Sequence, residues 1–207
     1  MVLFKKILKW IGIMLGGAFV VVVIFRAFHF YNLDKTNAVV EKIHNTKLKL
    51  SDVMGENLPP DPGERADDTV EGIDANQNGI RDDVELAIFK EYPNSAKTRA
   101  VLLQYALALQ MQFTQSIVNT QTVTEALRED SRAHDCVADI LVPRKNPESS
   151  RTSADVDKIY KFIDFVENLQ INTSGREKFR DSFYKNLGSY SESENEVCDI
   201  DYSTLPN

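Results

Sequence analysis

The chain has 207 residues, 43% of them hydrophobic, with 24 basic and 31 acidic side chains and a formal charge of −7. Setting aside the four basic residues of the first thirty leaves 20 basic against 31 acidic and a charge of −11, which argues against nucleic acid as a direct partner. The stretch after Gly72 has room for one domain with its own core and too little for two.

The first thirty residues read as a membrane anchor. Lys5, Lys6 and Lys9 precede an uncharged run from Trp10 to Phe25, and Arg26 and an aromatic cluster of Phe28, Phe30 and Tyr31 follow it. Sixteen residues span only about 24 Å of a hydrocarbon core about 30 Å thick. Snorkelling of Lys9 and Arg26 and the apolar residues beyond them supply the remainder. A cleaved signal peptide is the alternative, but no clear small-x-small cleavage site follows the apolar run. Three lysines before the span against one arginine just after it place the N-terminus in the cytoplasm and the rest outside it, by the positive-inside rule. The expectation is a single-pass protein of a bacterial inner membrane with a periplasmic C-terminal domain.

Residues 31–72 read as a stalk, with a short helix around Ala38 to Leu48 and then a proline- and acid-rich approach, PPDPGERADD, of the kind that forms an extended spacer. The stretch that follows, from Asp74 to Glu85, reads DANQNGIRDDVE. A loop that encloses one calcium ion takes oxygens from positions 1, 3, 5, 7, 9 and 12, with glycine at 6 for the sharp turn. Counted from Asp74 these are Asp74, Asn76, Asn78, the carbonyl of Ile80, Asp82 and Glu85, with Gly79 at the turn. Glu85 suits the last place, because a carboxylate reaching back from the first turn of an exit helix supplies two oxygens. The plainer alternative is an Asn-Gly turn before an acidic helix start, with no metal.

On these residues the loop resembles those of EF-hand and dockerin-type calcium proteins, with the pattern D-x-[DN]-x-[DN]-G-x-x-D-x-x-E. The resemblance covers twelve residues and implies Ca2+ as the bound ion. It departs from a paired EF-hand in two respects. Position 8, usually an aliphatic residue that bridges to a second loop, is Arg81, and Pro59, Pro60, Pro62 and Gly63 oppose a regular entering helix. The implied element is a solitary calcium staple rather than a sensor pair. Three carboxylates and two amides point to affinity on the order of 0.1 to 1 mM. The wider stretch from Leu58 to Glu85 also resembles bacterial envelope proteins in which such a loop precedes a helical domain.

From the loop onward the pattern is helical. An exit helix is expected from Arg81 to Tyr92, stopped by Pro93, and a second from Asn94 to Asn119 with Leu102, Ala106, Leu109, Phe113 and Ile117 on one stripe and Leu103, Leu107 and Met111 on the next. Thr122 with Glu125, Thr152 with Asp155 and Ser174 with Glu177 mark three further starts. Val156, Ile159, Ile163, Val166 and Leu169 form the stripe of the fourth helix, and Phe179, Phe183 and Leu187 that of the fifth. With no strand-like alternation, the expected fold is all-α: residues 1–30 a transmembrane anchor, 31–72 an extended stalk, and 73–207 a calcium loop leading into a bundle of about five helices with a polar C-terminal tail.

Cys136 and Cys198, the two cysteines, are expected to pair in an oxidising compartment. His134, Asp135 and Cys136 are adjacent, but consecutive helical residues point about 100° apart and do not share one reacting atom, so His134 reads as a core or boundary residue. Gln104, Gln110, Gln112 and Gln115 read as an exposed or half-buried polar edge of the second helix. Phosphate-binding glycine loops, a GxSxG elbow and HExxH are lacking, so no catalytic residue is assigned. The leading expectation is a membrane-anchored calcium-binding module with a structural or protein-interaction role and a possible protein partner in the envelope. The alternatives are an envelope hydrolase, which requires a cleft with convergent ionisable groups away from the loop, and a calcium sensor.

Overall fold

A run of apolar residues without an acidic side chain has no reason to leave the helix that its lysines begin, and in the computed structural model α1 covers Val2–Asn45. Its apolar part has a mean hydropathy of 2.4 and is unburied, so it is long and apolar enough to cross a membrane. The structure describes residues 2–146, 149–190 and 196–206. The chain forms two units, one up to Ala38 and one over Val39–Asn207, and the second holds everything that follows.

Among the described residues there are seven α-helices, two short 3-10 segments and no strand. After α1 come α2 (Leu50–Met54), a 3-10 segment (Gly63–Asp67), α3 (Asp82–Glu91), α4 (Ala96–Thr114), α5 (Thr120–Leu141), α6 (Ser153–Gln170), α7 (Ser174–Tyr184) and a second 3-10 turn (Tyr202–Thr204). Helix α4 is central. It packs against α2, α3, α5, α6 and α7, and because its apolar residues wrap the whole circumference, it is buried on all sides from Arg99 to Phe113. Leu102, Leu103 and Leu109 are among the largest fully buried side chains, and truncating any one to alanine would cost about 2–5 kcal/mol.

Local chemistry sets the helix starts, with some shifts from expectation. Thr152 caps α6 with Asp155 as its reciprocal partner. Helix α5 begins earlier than Thr122, because Asn119 accepts from the Thr122 amide while Thr122 Oγ1 accepts from the Asn119 amide, so Thr122 closes the box from inside. Thr173 rather than Ser174 caps α7 by accepting from the Arg176 amide. Helix α4 ends at Thr114, where the polar TQS run offers no further side chain to the core, and Ile117 is left exposed.

The segment expected to be a spacer is packed. Ile43, Leu48 and Val53 are buried in the core. Arg99 donates to the carbonyls of Val53, Tyr92 and Pro93 and stacks 4.8 Å above the Phe89 ring. Arg176, fully buried on α7, donates to the carbonyls of Ala66 and Val70 at 2.6 and 2.9 Å and pairs with Asp67. One side chain thereby satisfies backbone groups that a proline-rich segment cannot pair within itself.

The C-terminal segment is held in the same manner. Gln104 donates to the Val197 carbonyl and accepts from the Asp199 amide and the Tyr202 hydroxyl. Arg132 bridges Glu129 and Asp199, and the Leu48 amide donates to Asp199. The Cys136 and Cys198 sulfurs lie at disulfide distance, 2.16 Å apart. Residues 191–195 of the expected polar tail fall outside the described residues.

Gln104, Gln110 and Gln112 are not a polar edge but lie inside the core, 1%, 2% and 0% exposed. They are buried because α4 has no solvent side, and each finds a partner there: Gln110 donates to the Glu71 carbonyl and accepts from Gln170, and Gln112 donates to Asp130.

Candidate functional site

The Asp74–Glu85 loop is shaped by its own side chains. Asp74 accepts the amides of Asn78 and Gly79 through its two carboxylate oxygens, and Asn78 Oδ1 accepts the Ile80 amide at 2.8 Å. These turns leave Gly79 at φ +88°, where a Cβ would also come within 2.7 Å of Leu107, so glycine is required on both conformational and steric grounds. Ile80 is fully buried and pins the middle of the loop to the core.

Glu85, from the first turn of α3, closes the loop. Its Oε2 is reached by the side-chain amides of Asn76 and Asn78, both at 3.1 Å, and Asn76 also donates to the Asn57 carbonyl. Asp74, Asn76, Asn78 and Glu85 are thus joined in one hydrogen-bonded cluster. Asp82 makes no hydrogen bond to that cluster among the described residues, and both of its oxygens accept the Ala75 amide.

By residue type the donor set suits a hard cation, which Asn76 and Asn78 would meet by turning toward it the amide oxygens that now accept from the Asn78 and Ile80 amides. It is all oxygen, and among the described residues none of Asp74, Asp82 and Glu85 has an ion-pair partner, although Asp82 and Glu85 are buried. Burial pushes the Glu85 carboxyl up to about 7 against the opposing pull of the two amides, and burial raises Asp82 as well. Two buried carboxylates without a counter-charge are costly. A divalent ion removes that cost, and Asp74, Asn76, Asn78, Glu85 and the Ile80 carbonyl are the groups that would hold it. The described residues hold no cluster of three or more His, Cys, Asp and Glu side chains arranged for a metal, so such a site depends on its amides and carbonyl.

Arg81, the departure at position 8, is fully buried. It chelates Asp83 through Nε and Nη2 at 2.6 and 2.8 Å and donates to the Leu169 and Gln170 carbonyls at the end of α6. Arg81 thereby caps the C-terminus of α6, where a cation is favoured.

A second polar feature lies away from the loop. A cleft of about 450 Å³ between α4, α5, α6 and α7 brings Asp130 and Glu167 together with several tyrosines. His134 sits on its rim with a 41% exposed side chain, the boundary position expected of it. Ser131 also lines the cleft, but no hydrogen bond joins it to His134 among the described residues, so a nucleophile–base pair is not formed. No sequence signal marked this cleft, because its carboxylates come from different helices. Compared with known proteins, the chain matches no family model, no curated protein and no solved structure.

Proposed function

We propose that the chain is a membrane-anchored helical module in which a calcium ion fastens the 57–85 segment to the bundle, and that it works on the periplasmic side of a bacterial inner membrane in a structural or protein-binding role. The observation that carries this reading is Glu85, buried against Asn76 and Asn78 with no basic side chain paired to it among the described residues. Calcium held by Glu85, the two asparagines and Asp74 would tie the first turn of α3 to the loop. Asn76 would draw in the chain at Asn57, and Arg81 already fixes the loop to α6. The ion acts as a staple, since one loop with an internal anchor provides no second lobe to open.

The three lysines before the apolar run and the chemistry of the loop and cysteines support this compartment. A weak loop fills only where calcium is plentiful, and the cysteine pair persists where thiol reductants are scarce. At an ion concentration 100 times the dissociation constant, the linkage adds about 2.7 kcal/mol to stability. The test is thermal melting of the intact protein in neutral detergent with millimolar calcium or with chelator. A midpoint raised by calcium, and not by equal magnesium, is expected. Identical midpoints remove the staple.

A further inference from the structure

We propose that the cleft between α4, α5, α6 and α7 is a binding site for a small organic ammonium ion with an apolar body. It is independent of the calcium loop, and its walls carry the two kinds of group that recognise such a ligand.

The first is a pair of carboxyl groups that share one nearby guanidinium, Arg180. Asp130 on α5 and Glu167 on α6 both line the cleft. Glu167 accepts from the Tyr105 hydroxyl at 3.0 Å and has one guanidinium near it, Arg180 at 3.7 Å. Asp130 has no ion-pair partner among the described residues; its Oδ2 accepts from the Gln112 amide at 3.1 Å, and its Oδ1 has no hydrogen bond there. Burial, with the neighbouring charge of Glu167 and against the pull of Arg180, pushes the Asp130 carboxyl up to about 7.

The second is aromatic surface. Tyr160, Tyr184 and Tyr190 border the cleft and are 53%, 41% and 44% exposed, so their rings are open to a ligand, while Leu127 and Ile163 supply buried or nearly buried apolar wall. Ring faces attract cations, and the attraction strengthens when an alkylammonium group is desolvated among aromatic side chains. A neutral sugar could stack on the same rings, but it would leave two acidic groups to one guanidinium. A cation offsets that excess, supplies a donor to Asp130 Oδ1 if it carries N–H groups, and places its carbon body on the tyrosines. The volume suits a group of roughly drug-fragment size.

The experiment is calorimetric titration of the intact protein in maltoside detergent with choline, with butylammonium, and with 3,3-dimethylbutan-1-ol, the uncharged isostere of choline. At least one cation is expected to bind saturably, with the isostere at least tenfold weaker. Asp130→Asn, which keeps shape and folding, is expected to weaken the cation at least tenfold, and Tyr160→Ala, at an exposed position, severalfold. Both variants should retain the wild-type calcium response in melting, so failure of the cleft is distinguishable from failure of the staple. Equal binding of cation and isostere, undiminished affinity in Asp130→Asn, or no heat from either cation overturns the proposal.

Discussion

Reducing the Cys136–Cys198 pair gives a quantitative test of how the C-terminal segment is held. The two cysteines are 62 residues apart, and a cross-link closing a loop of that length removes unfolded-chain entropy worth about 4 kcal/mol at 25 °C. For a protein of this size that corresponds to a melting shift on the order of 10 °C. Docking of the segment is not expected to be lost with the bond, because Gln104, Arg132 and the Leu48 amide hold residues 197–202 by hydrogen bonds that do not depend on sulfur. Reduced protein should therefore melt much earlier yet resist proteolysis at its C-terminus while folded. Cys198→Ser, which leaves Cys136 as a small buried side chain, should reproduce the reduced wild type. The assay is thermal melting with and without reductant, beside a thiol count on denatured, unreduced protein. Midpoints within about 2 °C, or two reactive thiols, would refute the reasoning.

Three further outcomes are expected. Arg176→Met leaves the Ala66, Thr69 and Val70 carbonyls without their arginine donor and Asp67 with the Asn172 amide alone, and should cost about 3–5 kcal/mol, with new proteolytic cleavage within 61–72 ahead of global unfolding. Gly79→Ala must accommodate φ +88° and the Leu107 contact, and should cost about 1–3 kcal/mol and weaken calcium binding in titrations. The third concerns pH. The folded state holds the Asp130 proton up to about pH 7, whereas the unfolded chain releases it near 3.8, so wild type should lose stability relative to Asp130→Asn as pH rises from 4 to 7. At 1.36 kcal/mol per pKa unit the full effect is about 4 kcal/mol, reduced to about 2 by the opening of the cleft to water. Urea unfolding of both proteins at pH 4.5 and 8 measures it, and an equal stability difference at the two pH values contradicts it.

The features legible in the sequence were those written in local chemistry. The apolar run of α1 needs no tertiary partner to be recognised, Thr152 and Asp155 cap a helix through contacts three residues apart, and the breadth of apolar residues on α4 announces a buried helix. The loop is legible for the same reason: its turns are made by Asp74 and Asn78 on backbone a few residues away. Long-range polar contacts were not legible. Residues 57–72 have the composition of a spacer and become ordered through Arg176, which lies more than a hundred residues away in sequence and resembles any surface arginine. The glutamines of α4 looked like a wet edge because only the assembled bundle supplies their partners, in Glu71, Val197 and Asp130. The cleft is not legible in the sequence, because Asp130 and Glu167 are ordinary acids until α5 and α6 pack side by side.

The calcium staple is tested most directly by isothermal titration of the intact protein with calcium, compared with Glu85→Gln. Removing one charge from the buried closing ligand while keeping its shape should abolish or cut the affinity by at least tenfold. The wild type should show one site with a dissociation constant on the order of 0.1 to 1 mM. A wild type that gives no calcium heat, or a Glu85→Gln variant that binds as the wild type does, would contradict the account.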